Sequence, residues 1–441
     1  MRTRVAGMLL GSCLVAACAD EDLASPNGGA PLLPPRDAAA LDSASARQPG
    51  DANPGSSTDP LAIRDASPGA TGDASSGAPR PPPTEAGVRD AGASDSSTAD
   101  ARDAAACSDP CPKAHGVDWL CRLRFMYGVN YAWHHFGADF GGNARWMQPG
   151  VSGNPKVDAQ LAQLAANGVS VVRWWVFPDF RGDGVTFDAS DRPTGLGGTL
   201  LADVARALSL AQQHDLYLML TLFSFDNFRP TSDMPGGVRS RSIKPLITDA
   251  AQRANLMEKV VRPLARAAAA SPHRERLIAW DAINEPEWAI RGSSPYGDPA
   301  FDPNPQLESV SHAEMETFLR DVLTVLRAES DALLSVGSAA IKWGHAWDGL
   351  DVDFYQFHIY DWVDMYWPYD RSPTEFGFSQ RPVVMGEFPG KGLARAGYSN
   401  LLQSWYGDGY AGALAWSYTD GLSDLSEVKR FAAQHPCELK Y

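Results

Sequence analysis

From residue 125 onward the chain repeats one pattern eight times: a short apolar or β-branched run, then a longer polar or amphipathic stretch. The runs are FMYGVNY (125–131), VSVVRWWVF (169–177), LYLMLTLF (216–223), LIAWDAIN (277–284), LLSVGSA (333–339), FYQFHIY (354–360), PVVMGEF (382–388) and GALAWSY (412–418), and each reads as a strand. Between them VDAQLAQLAANG, LLADVARALSLAQQHD, ANLMEKVVRPLARAAAA and HAEMETFLRDVLTVLRAES carry apolar residues at helical spacing. Gly168 and Asp215 stand where the helices before strands two and three should end. Strands alternating with helices predict an α/β fold with parallel strands, and eight of them predict a (β/α)8 TIM barrel. Residues at the C-terminal ends of the strands then converge on one mouth, where such barrels carry their chemistry.

The chain ahead of the barrel has a different composition. Residues 1–18 open with Arg2 and Arg4 and continue VAGMLLGSCLVAAC, a basic start before a short apolar stretch. This is a secretory signal, too short to span a bilayer. Its end, Val15, Ala16, Ala17 and Cys18, resembles the lipobox of bacterial lipoproteins, which makes Cys18 the expected lipidation site. Cys13 is a second candidate that would leave a very short apolar core. From 19 to 106 there is no Phe, Trp, Tyr, Cys, Lys or Met. Such a segment cannot bury enough apolar surface to offset its ordering entropy, so a long disordered tether is expected. The domain plan is a lipoprotein-type signal at 1–18, a tether at 19–106 and a catalytic barrel at 107–441.

The tether carries fourteen acidic residues against six arginines, yet the barrel region is still acidic in a chain of formal charge −15. That argues against nucleic acid and anionic surfaces as partners, and is neutral toward an uncharged polysaccharide. All thirteen Trp fall between Trp119 and Trp416. Cys107, Cys111, Cys121 and Cys437 are the barrel region's cysteines. In an exported chain they suggest two disulfides with three possible connectivities, one joining Cys437 to the N-terminal cluster. A zinc site is the competing reading, but CSDPC with a distant Cys437 fits no standard zinc spacing.

Two glutamates end strand-like runs: Glu285 in LIAWDAINEPEW and Glu387 in RPVVMGEFPG. Two carboxylates across one pocket are the chemical minimum for breaking a glycosidic bond, one to protonate the leaving oxygen and one to attack or to activate water. In order along the chain, these motifs resemble clan A of the glycoside hydrolases, most closely the cellulase-like family 5, over about residues 125–420. The resemblance implies that Glu285, within Asn284-Glu285-Pro286, is the acid/base and that Glu387 is the nucleophile. It further implies that Arg173 holds the nucleophile, that Asn284 bonds the sugar 2-hydroxyl and that Tyr360 bonds Glu387. His358 would lie beside the acid/base and Trp416 would floor the sugar ring. Two departures stand out. Arg173-Trp174-Trp175 replaces the commoner arginine-x-proline, and Ser224, Asp226 and Asn227 occupy the end of strand three, where family 5 cellulases commonly carry histidine.

Trp133, His134, Trp343, His345, Trp347, Trp362 and Trp367 fall in or near mouth loops, where they could line sugar subsites or merely pack. Glu287, just past the proline, reads as a loop charge. No HExxH pair, phosphate loop or dinucleotide fingerprint occurs, so neither metal nor cofactor is expected. The function expected is that of an exported, endo-acting, retaining and monomeric glycoside hydrolase tethered to the membrane by its lipid. Its substrate would be β-1,4-glucan first and β-1,4-mannan second. A lipid-tethered carbohydrate-binding protein without turnover is the reading from a different class.

Overall fold

The computed structural model describes residues 109–419, 422 and 425–441. The expected leader, Cys18, the tether and Cys107 lie outside the described residues. Eight parallel strands close into a barrel: β1 (Met126–Asn130), β2 (Val171–Trp175), β3 (Tyr217–Ser224), β4 (Leu277–Asn284), β5 (Leu333–Ser338), β6 (Tyr355–His358), β7 (Val383–Glu387) and β8 (Gly412–Ala415). Each pairs with the next in chain order, and β8 pairs with β1. Every run read as a strand is one. Parallel barrel strands are covered on both faces, so their sequences are apolar throughout rather than alternating. Every residue of β1, β2, β3, β4, β7 and β8 is accordingly buried.

The outer layer includes α1 (Pro155–Ala166), α2 (Leu200–Gln213), α3 (Ala250–Leu256, continuing through a π turn into Arg262–Ala269), α4 (His312–Glu329), α5 (Tyr398–Gly407) and α6 (Ser426–Gln434). The π turn, Met257–Val261, falls just before Pro263, whose missing N–H cannot join a regular helical ladder. α4 starts with a reciprocal cap: the Glu314 amide donates to Ser311 Oγ and the Ser311 amide to Glu314 Oε2. Two crossovers depart from the full alternation. A 3-10 helix, Ile341–Trp347, follows β5, and only the short turns Asp361–Asp364 and Pro373–Phe376 follow β6.

Loop lengths decide where the site lies. The chain passes from α1 to β2, α2 to β3 and α4 to β5 within a few residues, and Gly168 and Asp215 make two of these turns at φ +83° and +53°. A side chain at Gly168 would also collide with Ala432, 2.3 Å from its Cβ position. The segments leaving the strand C-termini are long, as at 131–154, 176–199 and 285–311, and they build the mouth. The opposite end is closed by a hairpin, Val117–Trp119 with Arg122–Arg124, whose Val117 and Trp119 join Met126, Met219, Ile278 and Tyr441 in one apolar cluster.

Cys437 bonds Cys111 beside this hairpin, and Cys121 is disulfide-bonded as well. Oxidation rather than zinc is therefore the state of these sulfurs. The Cys111–Cys437 link closes a loop of 326 residues, and bridges of this kind typically contribute ~2–4 kcal/mol. Cys111→Ser is expected to lower Tm by several degrees while leaving kcat at 25 °C within about twofold, because the bridge sits at the strand N-termini, away from the mouth. Thermal melts alongside initial rates check this, and a large loss of kcat below the transition would contradict it.

Candidate active site

Glu285 follows the last residue of β4, and Glu387 is the last residue of β7. Both ladders are irregular here. The β4–β5 register shifts between Asp281 and Asn284, and the β6–β7 register shifts so that His358 lies opposite Glu387. Such bulges re-aim side chains at a barrel rim. Glu285 takes a left-handed backbone, φ +50°, and its amide donates to Gly337 O at 2.6 Å. A non-glycine residue there carries local strain that surrounding contacts must hold. One oxygen from each glutamate and a ring nitrogen of His358 lie within 4.8 Å of one another, and all three side chains are buried.

Arg173, on β2, organises this centre and is fully buried. Its Nη1 donates to Glu387 Oε1 at 2.7 Å and to Asn130 Oδ1 at 3.0 Å; its Nη2 donates to Asn284 Oδ1 at 2.8 Å; and Nη2 and Nε both reach Asp281 Oδ2. Because a guanidinium only donates, it fixes the Asn284 amide with oxygen inward and leaves the N–H2 as a donor for another partner. Tyr360 Oη donates to Glu387 Oε2 at 3.0 Å. His358 Nδ1 lies 2.7 Å from Glu285 Oε1 and 3.5 Å from Glu387 Oε2, and Trp288 Nε1 donates to Glu285 Oε2 at 2.9 Å. Thus one carboxyl rests against a fixed cation, while the other meets a histidine and an indole.

No family model matches the chain. It is 25% identical over 332 residues to a mannan endo-1,4-beta-mannosidase of Mytilus edulis, covering 67% of this chain and 84% of the relative. To a protein of the same name from Cryptopygus antarcticus it is 22% identical over 341 residues, covering 69% and 82%. The solved beta-1,4-mannanase of the sea hare Aplysia kurodai superposes with a TM-score of 0.62 at 19% identity, covering 74% of this chain and 98% of that one. This protein is most similar to family 5 of the clan A glycoside hydrolases.

In this barrel the expected site residues converge: Arg173, Asn284, Glu285, His358, Tyr360 and Glu387 form one connected network. Trp416, just past β8, is half-buried and packs edge-on against Trp175 at 5.4 Å and Trp133 at 6.0 Å. The departure at Trp174-Trp175 does not displace Arg173, since Trp175 lies under its guanidinium, 4.5 Å from the ring centroid. Among the loop aromatics, Trp343 and Trp362 pack on Trp288, whereas His345 stacks on Phe378 and bonds Asp348. At the end of β3, Asp226 pairs with Arg229 and Asn227 caps the turn through the Ser224 amide.

Glu287 is not the loop charge its sequence position suggested. It is fully buried, accepting from Ser338 Oγ, the Ala339 amide and Trp347 Nε1. The short turn after Pro286 folds it back into the wall instead of out to water. Sequence reading also missed Asp281 and Asn130. Asp281 takes Thr221 Oγ1, the Gly337 amide and Arg173, and a lone acid within the apolar run LIAWDAIN was its signal. Asn130 donates to Gly386, Leu414 and Ala415 carbonyls, joining β1 to β7 and β8. Gly337 is needed for closeness: a Cβ there would sit 2.6 Å from Arg173 Nη2.

The protonation pattern follows from these surroundings. Burial pushes Glu285 up to about 8, with the Glu287 and Asp226 charges adding to the push while Trp288 and Arg173 oppose it. Burial also raises Glu387, against His358 and Arg173. Only Glu387 touches a permanent cation, so the pair's first ionisation falls there. Burial lowers His358 to about 4, making it neutral at pH 7. Three donor atoms within 4.8 Å invite comparison with a metal site, but the Arg173 charge on Glu387 competes with any cation.

A carboxyl raised on folding binds its proton more tightly in the folded state. Its contribution is therefore most favourable below the unfolded value, 4.5, and is lost as pH rises through about 8. Glu285→Gln removes this penalty. The variant's Tm relative to wild type is expected to increase by several degrees between pH 5 and pH 8.5, read by paired melts; parallel profiles would contradict the assignment.

Proposed function

We propose that this protein is a retaining endo-β-1,4-mannanase, with Glu285 as acid/base and Glu387 as nucleophile. The observation that carries the reading is two buried glutamates with oxygens within 4.8 Å, only one of them ion-paired to a guanidinium. That spacing suits a covalent intermediate, for which the carboxyls stand ~5–5.5 Å apart, and not an inverting site, which needs ~6.5–9.5 Å for a water. Glu387, ionised against Arg173 and Tyr360, attacks the anomeric carbon while Glu285 protonates the departing oxygen. Water, deprotonated by Glu285, then releases the sugar from Glu387 with retained configuration.

Asn284, turned by Arg173, presents its N–H2 to the sugar 2-hydroxyl, a contact that strengthens in an oxocarbenium-like transition state. Trp416, braced by Trp133 and Trp175, offers an aromatic face to the pyranose C–H face. Mannan is preferred over the glucan that the sequence motifs placed first, because the similar curated proteins are mannanases and the end of β3 holds Ser224, Asp226 and Asn227 where a cellulase commonly has histidine. A binding protein without turnover would gain nothing from burying two ionisable groups at such cost.

Glu285→Gln and Glu387→Gln are each expected to fold and to lose at least ~100-fold in kcat on β-mannan. Proton NMR of early products should show the β-anomer first, with a rapid fall in mannan viscosity and slower or no cleavage of soluble β-glucan. Initial α-anomer would overturn retention, and faster glucan cleavage would overturn the substrate choice.

Export and membrane attachment belong to the same proposal and rest on the N-terminal sequence. Lipid at Cys18 would hold the enzyme at the cell envelope on a long tether, leaving the barrel free to reach polymer. Cys18→Ala is expected to move the protein from the membrane fraction to the soluble exported fraction with unchanged specific activity. Retention in the membrane fraction would point to Cys13 or to another attachment.

A further inference from the structure

Glu287 has no part in the two-glutamate mechanism, yet it is a fully buried carboxylate two residues from the acid/base. Its Oε1 accepts from Ser338 Oγ at 2.5 Å and Trp347 Nε1 at 2.8 Å, and its Oε2 accepts from the Ala339 amide at 3.0 Å. Ser338 ends β5, Ala339 follows it, and Trp347 ends the 3-10 helix Ile341–Trp347. The ring of buried His312, at the start of α4, stacks on Trp347 at 5.4 Å, and His312 Nε2 lies 2.7 Å from Ala346 O. The turn Pro286–Ala289 is thus fastened through one side chain to the adjoining strand, to the helix after it and, through Trp347, to α4.

That fastening meets a specific need. Glu285 sits at φ +50° with its amide on Gly337 O, one residue before Ser338, so the strained residue and its clamp bear on the same end of β5. Conformations of this kind are strained and persist only where their surroundings over-determine them. We infer that Glu287 is a positioning residue for the acid/base: its buried carboxylate, held by three donors, staples the Glu285 turn to the end of β5. This rests on the glycosidase reading above and deepens it by assigning what holds the acid/base in place.

Charge and geometry act together. Burial raises the Glu287 carboxyl on balance, while the Ser338, Ala339 and Trp347 donors oppose the push by favouring its ionised form. In its ionised form the group repels the charged form of Glu285 and favours the protonated acid that bond cleavage needs. The other charged or titratable groups facing Glu285 are Arg173 from β2, Asp226 after β3, His358 from β6 and Glu387 from β7. Of these, Arg173 opposes the effect and is committed to Asp281 and Glu387. Glu287 is the acid on the same turn as Glu285, so its removal alters the acid/base more directly than it alters the nucleophile.

The test compares wild type, Glu287→Gln and Ser338→Ala on β-mannan and on an aryl β-mannoside whose leaving group needs no protonation. In wild type the alkaline limb of kcat/KM on mannan should lie near 8. In Glu287→Gln it should move down by ~1 pH unit, with kcat/KM on mannan at neutral pH reduced about tenfold and on the aryl mannoside less than about threefold. Ser338→Ala, which removes one donor and leaves the carboxylate in place, should show a smaller loss with the same bias toward mannan. Equal losses on both substrates with an unmoved alkaline limb, in whichever variant folds, would reduce Glu287 to a structural residue and overturn the inference. Wild-type protein inactive on both substrates would overturn the glycosidase reading itself, and the inference with it.

Discussion

A guanidinium sealed inside a barrel is tolerated only if every donor finds an acceptor and its charge is matched, and Arg173 meets both conditions with side chains from β1, β4 and β7. Removing one partner of such a buried pair typically costs ~3–5 kcal/mol, because the remaining charge is stranded. The arrangement ties the proposed catalytic pair to the architecture. Asp281 and Glu387 compete for one cation, Asn284 is turned by it, and Asn130 carries it across to β7 and β8. Gly337 leaves the space the cluster needs.

From that centre the two glutamates acquire different chemistry. Both are buried, and burial disfavours charge on either. The guanidinium and the Tyr360 hydroxyl converge on Glu387, while Glu285 receives an indole N–H and the ring of a histidine that burial keeps neutral. Two identical side chains a few ångströms apart thereby meet opposite surroundings, and such a difference is how carboxylate pairs divide acid and nucleophile roles in general. The network around Glu287 extends this division one layer outward, from the site to the wall that bears it.

The barrel was legible because parallel strands buried on both faces leave an apolar signature at each of eight positions, and the helices between them keep their own period. The two crossovers without a full helix were not, since 339–354 and 359–382 simply lack a periodic pattern, and absence of pattern does not say what replaces it. The strand-end residues that converge on this cluster were legible where a motif marked them, as with Asn284-Glu285-Pro286, Glu387 and the His358–Tyr360 alternation. Asp281 and Asn130 carried no motif, only a polar residue inside an apolar run. Glu287 was misread because exposure of a charge after a proline is the usual outcome, and nothing local announced Ser338, Ala339 and Trp347 as its partners.

By itself the sequence determined the strand count, the alternation, the two carboxylates and the strands that end in them. These are properties of local pattern and chain order. Which sulfur pairs with Cys437, which acid neutralises Arg173, whether Glu287 faces water or the core, and how close the two glutamates stand were decided only by the closed barrel. Each of those depends on residues tens to hundreds of positions apart, brought together by strand register and by bulges at the rim. The physical reason is that burial and pairing, unlike periodicity, belong to the space between elements rather than to any one of them.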